Sequence, residues 1–146
     1  MFKIIGENHK VMQAHNLVSI VTVAALLLFA ATGVRVGMAR VKHGVKAPAM
    51  TGHEIFERHS RVQGNTLEQL VIFLPAMWLF ASYWNDPIAA GLGVVWLVGR
   101  VIYMRAYVSD PAKRSFGFLI GMIVNTVFMI GAVIGAVKSI VATGAL

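Results

Sequence analysis

The chain contains no cysteine. That excludes disulfides, a cysteine nucleophile and thiolate-ligated metal, so any thiol chemistry must use a thiol brought in by a substrate. Charge is scarce too. Asp, Glu, Lys and Arg make up 13% of the 146 residues, about half the share in an average soluble domain. Acidic residues are the rarer sign, six against 13 Lys and Arg, which leaves a net charge of +7. In a soluble protein that excess would suggest nucleic acid. Here the cations lie beside long apolar runs, where anionic headgroups and the positive-inside bias account for them, so no nucleic-acid partner is expected. The five histidines, His9, His15, His43, His53 and His59, form no HxxxH or HxxHH cluster. A membrane di-iron oxygenase is therefore not expected, nor is any metal site, and all five read as solvated loop residues. No nucleophile elbow, P-loop or Rossmann fingerprint is present. No apolar run is broken by a central proline pair, as the half-helices of a small transporter would require, and Pro75 alone predicts only a kink.

Apolar residues are abundant, at 58% of the chain with a mean hydropathy of +0.73. This much apolar surface needs lipid. The pattern predicts an all-α, integral membrane four-helix bundle forming a single domain over residues 1–146. The expected spans run from about Leu17 to Gly37, Val62 to Trp84, Ile88 to Val108 and Ser115 to Val137. The first run is too long for the apolar part of a signal peptide and ends in Arg35, Arg40 and Lys42, so it reads as a retained span. Asn85-Asp86-Pro87 predicts a tight turn between antiparallel helices, and Asp110-Pro111 a break. Arg40, Lys42, Lys46, Arg58 and Arg61 precede span two, and Arg105, Lys113 and Arg114 lie between spans three and four. The opposite side holds Lys3, Lys10 and Lys138. The two basic loops are therefore expected in the cytoplasm and both termini across the membrane. Gly117, Gly121, Gly131 and Gly135 on span four mark close helix contacts.

The chemistry concentrates at the basic end. Arg61, Asn65 and Glu68 stand at i, i+4 and i+7, on one helical face. Charges entering a membrane on one stripe must pair or face a wet cavity, so this is either an ion pair locking neighbouring helices or a pocket for a zwitterionic ligand. On span three, Arg100, Tyr103 and Tyr107 stand at i, i+3 and i+7, with Arg114 one heptad further. A stripe of this kind is either an interfacial aromatic belt with snorkelling arginines or, where it faces protein, a set of phenol and guanidinium donors for an anion. Asn125, deep in span four, reads as an interhelical hydrogen-bonding residue.

The stretch from Phe56-Glu57-Arg58 through Arg61, Gln63, Asn65 and Glu68 to Pro75 resembles the signature of the MAPEG family, the membrane-associated proteins in eicosanoid and glutathione metabolism. Arg100-Val101-Ile102-Tyr103, followed by Tyr107 and Arg114, resembles the second block of the branch containing leukotriene C synthase and the type-two microsomal glutathione transferase. The resemblance covers almost the whole chain. It implies a homotrimer with three active sites between subunits, glutathione as co-substrate, and a hydrophobic electrophile or lipid arriving from the bilayer. By position it implies that Arg61, Gln63, Asn65, Glu68, Arg100, Tyr103 and Tyr107 bind glutathione and that Arg114, followed by Ser115, is the catalytic arginine holding the thiolate. Two positions depart from that branch. Gln69 replaces a tyrosine, which removes a glutathione contact, and Val41 replaces a second arginine beside Arg40. Both point away from leukotriene synthesis and toward a broad transferase, with peroxidase activity beside it. The other class consistent with the fold is a non-enzymatic lipid-binding or scaffold protein.

Overall fold

In the computed structural model, which describes residues 15–144, four long helices follow one another up and down: α1 (Asn16–Lys42), α2 (Glu54–Tyr83), α3 (Asp86–Ser109) and α4 (Ser115–Thr143), with a 3-10 turn at Pro111–Arg114 before the last. All four are long and apolar enough to cross a membrane. Lys3, His9 and Lys10 lie outside the described residues.

The helices outrun the apolar segments that announce them. α2 starts at Glu54, eight residues before the expected span, because its first two turns are polar yet well made for a helix start. The His53 imidazole nitrogen Nδ1 accepts from the Ile55 N–H at 3.2 Å, and Glu54 and Glu57 sit in the first turn, where carboxylates meet the positive end of the helix dipole. The helix then runs unbroken through Pro75. Asn85 caps α3 by accepting from the Ile88 N–H at 3.1 Å, with Pro87 in the first turn. Its neighbour Asp86 caps a different helix: the carboxylate accepts from the Leu17 N–H at 2.9 Å and the Val18 N–H at 3.2 Å. A residue read as a turn former thus satisfies the free N–H groups that begin α1.

α2 and α3 form the central pair, each packed against all three other helices. Their core is aromatic. Phe73 stacks on Trp96 at 4.0 Å between ring centroids, and Phe128 meets both Phe73 and Phe80. In lipid such van der Waals packing replaces the hydrophobic effect as the cohesive force between helices. The glycines of α4 serve the same purpose inside the chain. A methyl group on Gly117 would run into the backbone of Tyr103 and lie 2.7 Å from the Gly99 carbonyl oxygen, while Gly131 and Gly135 accommodate the rings of Phe80 and Tyr83. These close approaches join α4 to α3 and α2 of its own chain. At one end, Arg58 donates to the Val108 and Ser109 carbonyls, both at 2.9 Å, and ties the start of α2 to the last turn of α3. The α1–α2 loop and the α3–α4 turn therefore share one end of the bundle, and the cations of both loops gather there.

Candidate active site

The two polar stripes meet within one chain. On α3, Arg100 is 1% exposed. One of its terminal nitrogens donates to the Asn65 amide oxygen at 3.2 Å and the other to the Thr66 hydroxyl at 2.8 Å. The guanidinium carbon sits 4.3 Å from the centre of the Tyr103 ring. Asn65 passes the contact outward, its amide N–H donating to one Glu68 carboxylate oxygen at 3.1 Å. A buried guanidinium thus fixes an asparagine, which fixes an exposed carboxylate. Two hydrogen bonds and an aromatic face offset much of the cost of taking this charge out of water, while the Arg100 Nε stays buried without a partner among the described residues.

Further toward the basic end, Tyr107 lies 5.6 Å from Tyr103, ring centre to ring centre. Tyr107, Arg58, Arg61 and Pro111 line a groove of about 340 Å³ together with Met50, Glu54 and Glu57. Arg114, in the 3-10 turn, places its guanidinium 5.9 Å from the Tyr107 ring centre and donates to the Pro111 carbonyl at 2.8 Å. It is exposed, as Arg61 and Glu68 are. On its other side Arg114 lines a second groove, of about 460 Å³, with Ser115, Phe118 and Leu119. Among the described residues the acid–base pairs are Glu54 with Arg58, Asp110 with Lys113 and Asp86 with His15; Arg61, Arg100 and Arg114 belong to none of them.

Gln63 stands apart. Successive helical residues turn by 100°, so Gln63 points away from the Arg61–Asn65–Glu68 face, and its amide nitrogen lies 3.2 Å from where Gly33 of α1 would carry a methyl group. The departures have structural answers. Gln69 turns into the bundle and accepts from the Asn125 amide at 3.1 Å, which gives Asn125 the interhelical bond expected of it. Val41 is 84% exposed. Its neighbour Arg40 folds back over the Phe56 ring at 4.5 Å and donates to the Ala49 carbonyl at 2.8 Å. The histidines do more than face solvent: His53 caps α2 and stacks on His43 at 3.7 Å. Sequence reasoning missed Thr66 and the locking role of Arg58. Thr66 was legible in principle, as a hydroxyl residue beside Asn65 at the depth of Arg100.

A protein-family model described as the MAPEG family matches residues 18–134. The chain belongs to the MAPEG family. Among MAPEG relatives, an uncharacterized protein of Synechocystis sp. is 47% identical over 116 residues, 80% of this chain and 85% of its own length. Microsomal glutathione S-transferase 2 of Mus musculus is 38% identical over 101 residues, 69% of each chain. Leukotriene C4 synthase of Cavia porcellus is 36% identical over 98 residues, 67% of this chain and 65% of its own length. Four long apolar helices together with MAPEG membership make this a multi-pass membrane protein.

Proposed function

We propose that this protein is a glutathione-dependent membrane transferase that joins the glutathione thiolate to hydrophobic electrophiles, with reduction of lipid hydroperoxides as a side activity. The observation that carries the reading is the convergence of the α2 and α3 stripes through the Arg100–Asn65 bond, in a chain whose relatives include proteins named for glutathione transfer and leukotriene C4 synthesis. Glutathione offers an ammonium group, two carboxylates and a thiol. Glu68 keeps one carboxylate oxygen free of Asn65 and accepts from the ammonium group, Arg61 and Tyr107 face a carboxylate, and Arg100 and Tyr103 hold Asn65 and Tyr107 from behind.

Arg114 faces the sulfur. A free thiol of this type has a pKa of about 8.5, so little of it is thiolate at neutral pH. A guanidinium stabilises the anion and does not itself lose a proton, and each unit of lowering corresponds to about 1.4 kcal/mol. Phe118 and Leu119 beside Arg114 supply an apolar wall for a co-substrate arriving from the bilayer. In transfer, the sulfur forms a bond to the electrophilic carbon while the leaving group departs with the bonding pair; the thiol proton has already gone to water. In peroxide reduction, two glutathiones become one disulfide as the hydroperoxide becomes an alcohol and water.

The test is purified protein in detergent with glutathione and a simple aromatic halide. Binding of glutathione, an ultraviolet thiolate band on binding and formation of the conjugate support the proposal. Binding of lipid without binding of glutathione would overturn it in favour of a lipid-binding or scaffold role.

A further inference from the structure

A second basic site lies on the far flank of the α1–α2 contact, away from the Arg61–Asn65–Glu68 face. A groove of about 350 Å³ is lined there by Arg35, Lys42, His43 and His59, over a floor that includes Met38 and Ile55. No carboxylate lines it. The two nearest in sequence are already engaged, Glu54 with Arg58 and Glu57 with the Gly52 N–H at 2.9 Å. Burial, then the stacked His53 and Lys42, hold the His43 imidazole below its ordinary pKa. Arg35 and Lys42 thus bring two positive charges to the groove with no carboxylate partner among the described residues, an arrangement that an anion completes.

The surface leading from the groove identifies the anion's carrier. Leu27, Ala31, Val34 and Met38 follow one another at i, i+4, i+7 and i+11 along α1, and all are exposed, Leu27 and Val34 to 64% and Met38 to 66%. This apolar track runs from mid-span to the groove on the same helix face as Arg35, Met38 and Lys42. A soluble anion would use only the cations. A molecule with a phosphate at one end and acyl chains at the other fits both the groove and the track.

We infer that the groove formed by Arg35, Lys42, His43 and His59 binds the phosphate of an anionic phospholipid, in the leaflet that the basic end of the bundle faces, with its acyl chains along Leu27, Val34 and Met38. The site is separate from the proposed glutathione site and does not depend on it. It is tested on the full chain in neutral detergent by native mass spectrometry, with phosphatidylglycerol and phosphatidylcholine of identical acyl chains as probes. Two cations acting on one phosphate at a membrane surface give an expected preference of about thirty-fold for phosphatidylglycerol. The Arg35→Gln/Lys42→Gln double variant should lose that preference and Lys42→Gln alone should lose part of it. Lys138→Gln, at the opposite end, should keep it. Equal binding of the two lipids, or a preference that survives in a folded double variant, would overturn the inference. Displacement of phosphatidylglycerol by millimolar inorganic phosphate alone would also overturn it, by showing a site for a soluble anion.

Discussion

The exposed arginine at the mouth and the buried arginine behind it divide the work of the proposed site. Arg114 is exposed and, among the described residues, held by the Pro111 carbonyl and the Tyr107 face, which leaves it free to meet a sulfur. It interacts far better with thiolate than with thiol, and its loss should fall on chemistry more than on binding. Arg114→Ala should raise the bound thiol toward about 8.5 and lower turnover at pH 7 by roughly 10²-fold, if the original lowering is near two units. Higher pH should recover part of the rate, and Arg114→Lys should fall between, having charge without the planar fork. An ultraviolet titration of the thiolate checks this; a normal profile in folded Arg114→Ala would make Arg114 a headgroup anchor only. Glu68→Gln should instead weaken glutathione binding by about 1.5–3 kcal/mol, as a charge-assisted bond is lost, measurable by calorimetry. The helical spacing of Arg61, Asn65 and Glu68 made their shared face legible from sequence alone. It did not separate a ligand contact from a support. Arg100 shares its stripe with Tyr107 but is buried, because only the packing of α3 on α2 decides which rungs of a stripe open outward.

Among the helices, length was legible where residues are apolar and illegible where capping rules. The start of α2 lies in polar sequence that no hydropathy average includes, and Asp86 caps a helix some seventy residues away, beyond any local signal. The glycines carried a correct message about close packing, and the structure adds the partner. At the α3–α4 crossing Gly117 faces the backbone of Tyr103 and Gly99, which cannot give way as a flexible side chain would. Gly117→Ala should cost about 1–3 kcal/mol through overpacking and disturb the register of Tyr103. Gly91→Ala, with nothing within 4 Å of the added methyl, should leave the melting temperature unchanged or slightly raised. The α1–α2 loop carries a pH dependence. His43, outside the spans, has its pKa lowered from 6.5 by burial, then by His53 and Lys42. The unfolded chain therefore binds more protons than the folded one just below pH 6.5, and stability rises with pH through that window and levels off above it. The melting temperature should fall between pH 7 and pH 5.5. His43→Phe, which keeps the ring stack without a titrating group, should flatten the fall; an equally steep fall in that variant would assign it to other groups.

At the scale of the whole molecule, the question is whether one chain makes a complete site. Multi-pass topology was legible from composition, whereas a trimer is what the family resemblance implies. The geometry of α2 now gives a physical reason to expect sharing. Arg61, Asn65 and Glu68 face one side of that helix and Gln63 the other, toward Gly33 of α1. A single bound tripeptide cannot touch both sides of one helix. If Gln63 contacts glutathione, it does so from a neighbouring copy, whereas Arg61 and Arg114 reach the same Tyr107 within one chain. Complementation separates these cases. Gln63→Ala and Arg114→Ala chains should each be impaired alone, and in mixed assemblies one kind of interface regains both groups, restoring about a quarter of the sites for a random equal mixture in a closed ring. Mixing Arg61→Ala with Arg114→Ala should restore nothing, since every site then lacks one arginine. Restoration in the second mixture would place the two arginines in different subunits' contributions to the site. Failure in the first, with mixed trimers verified by native mass measurement and Gln63→Ala impaired, would confine the site to one chain.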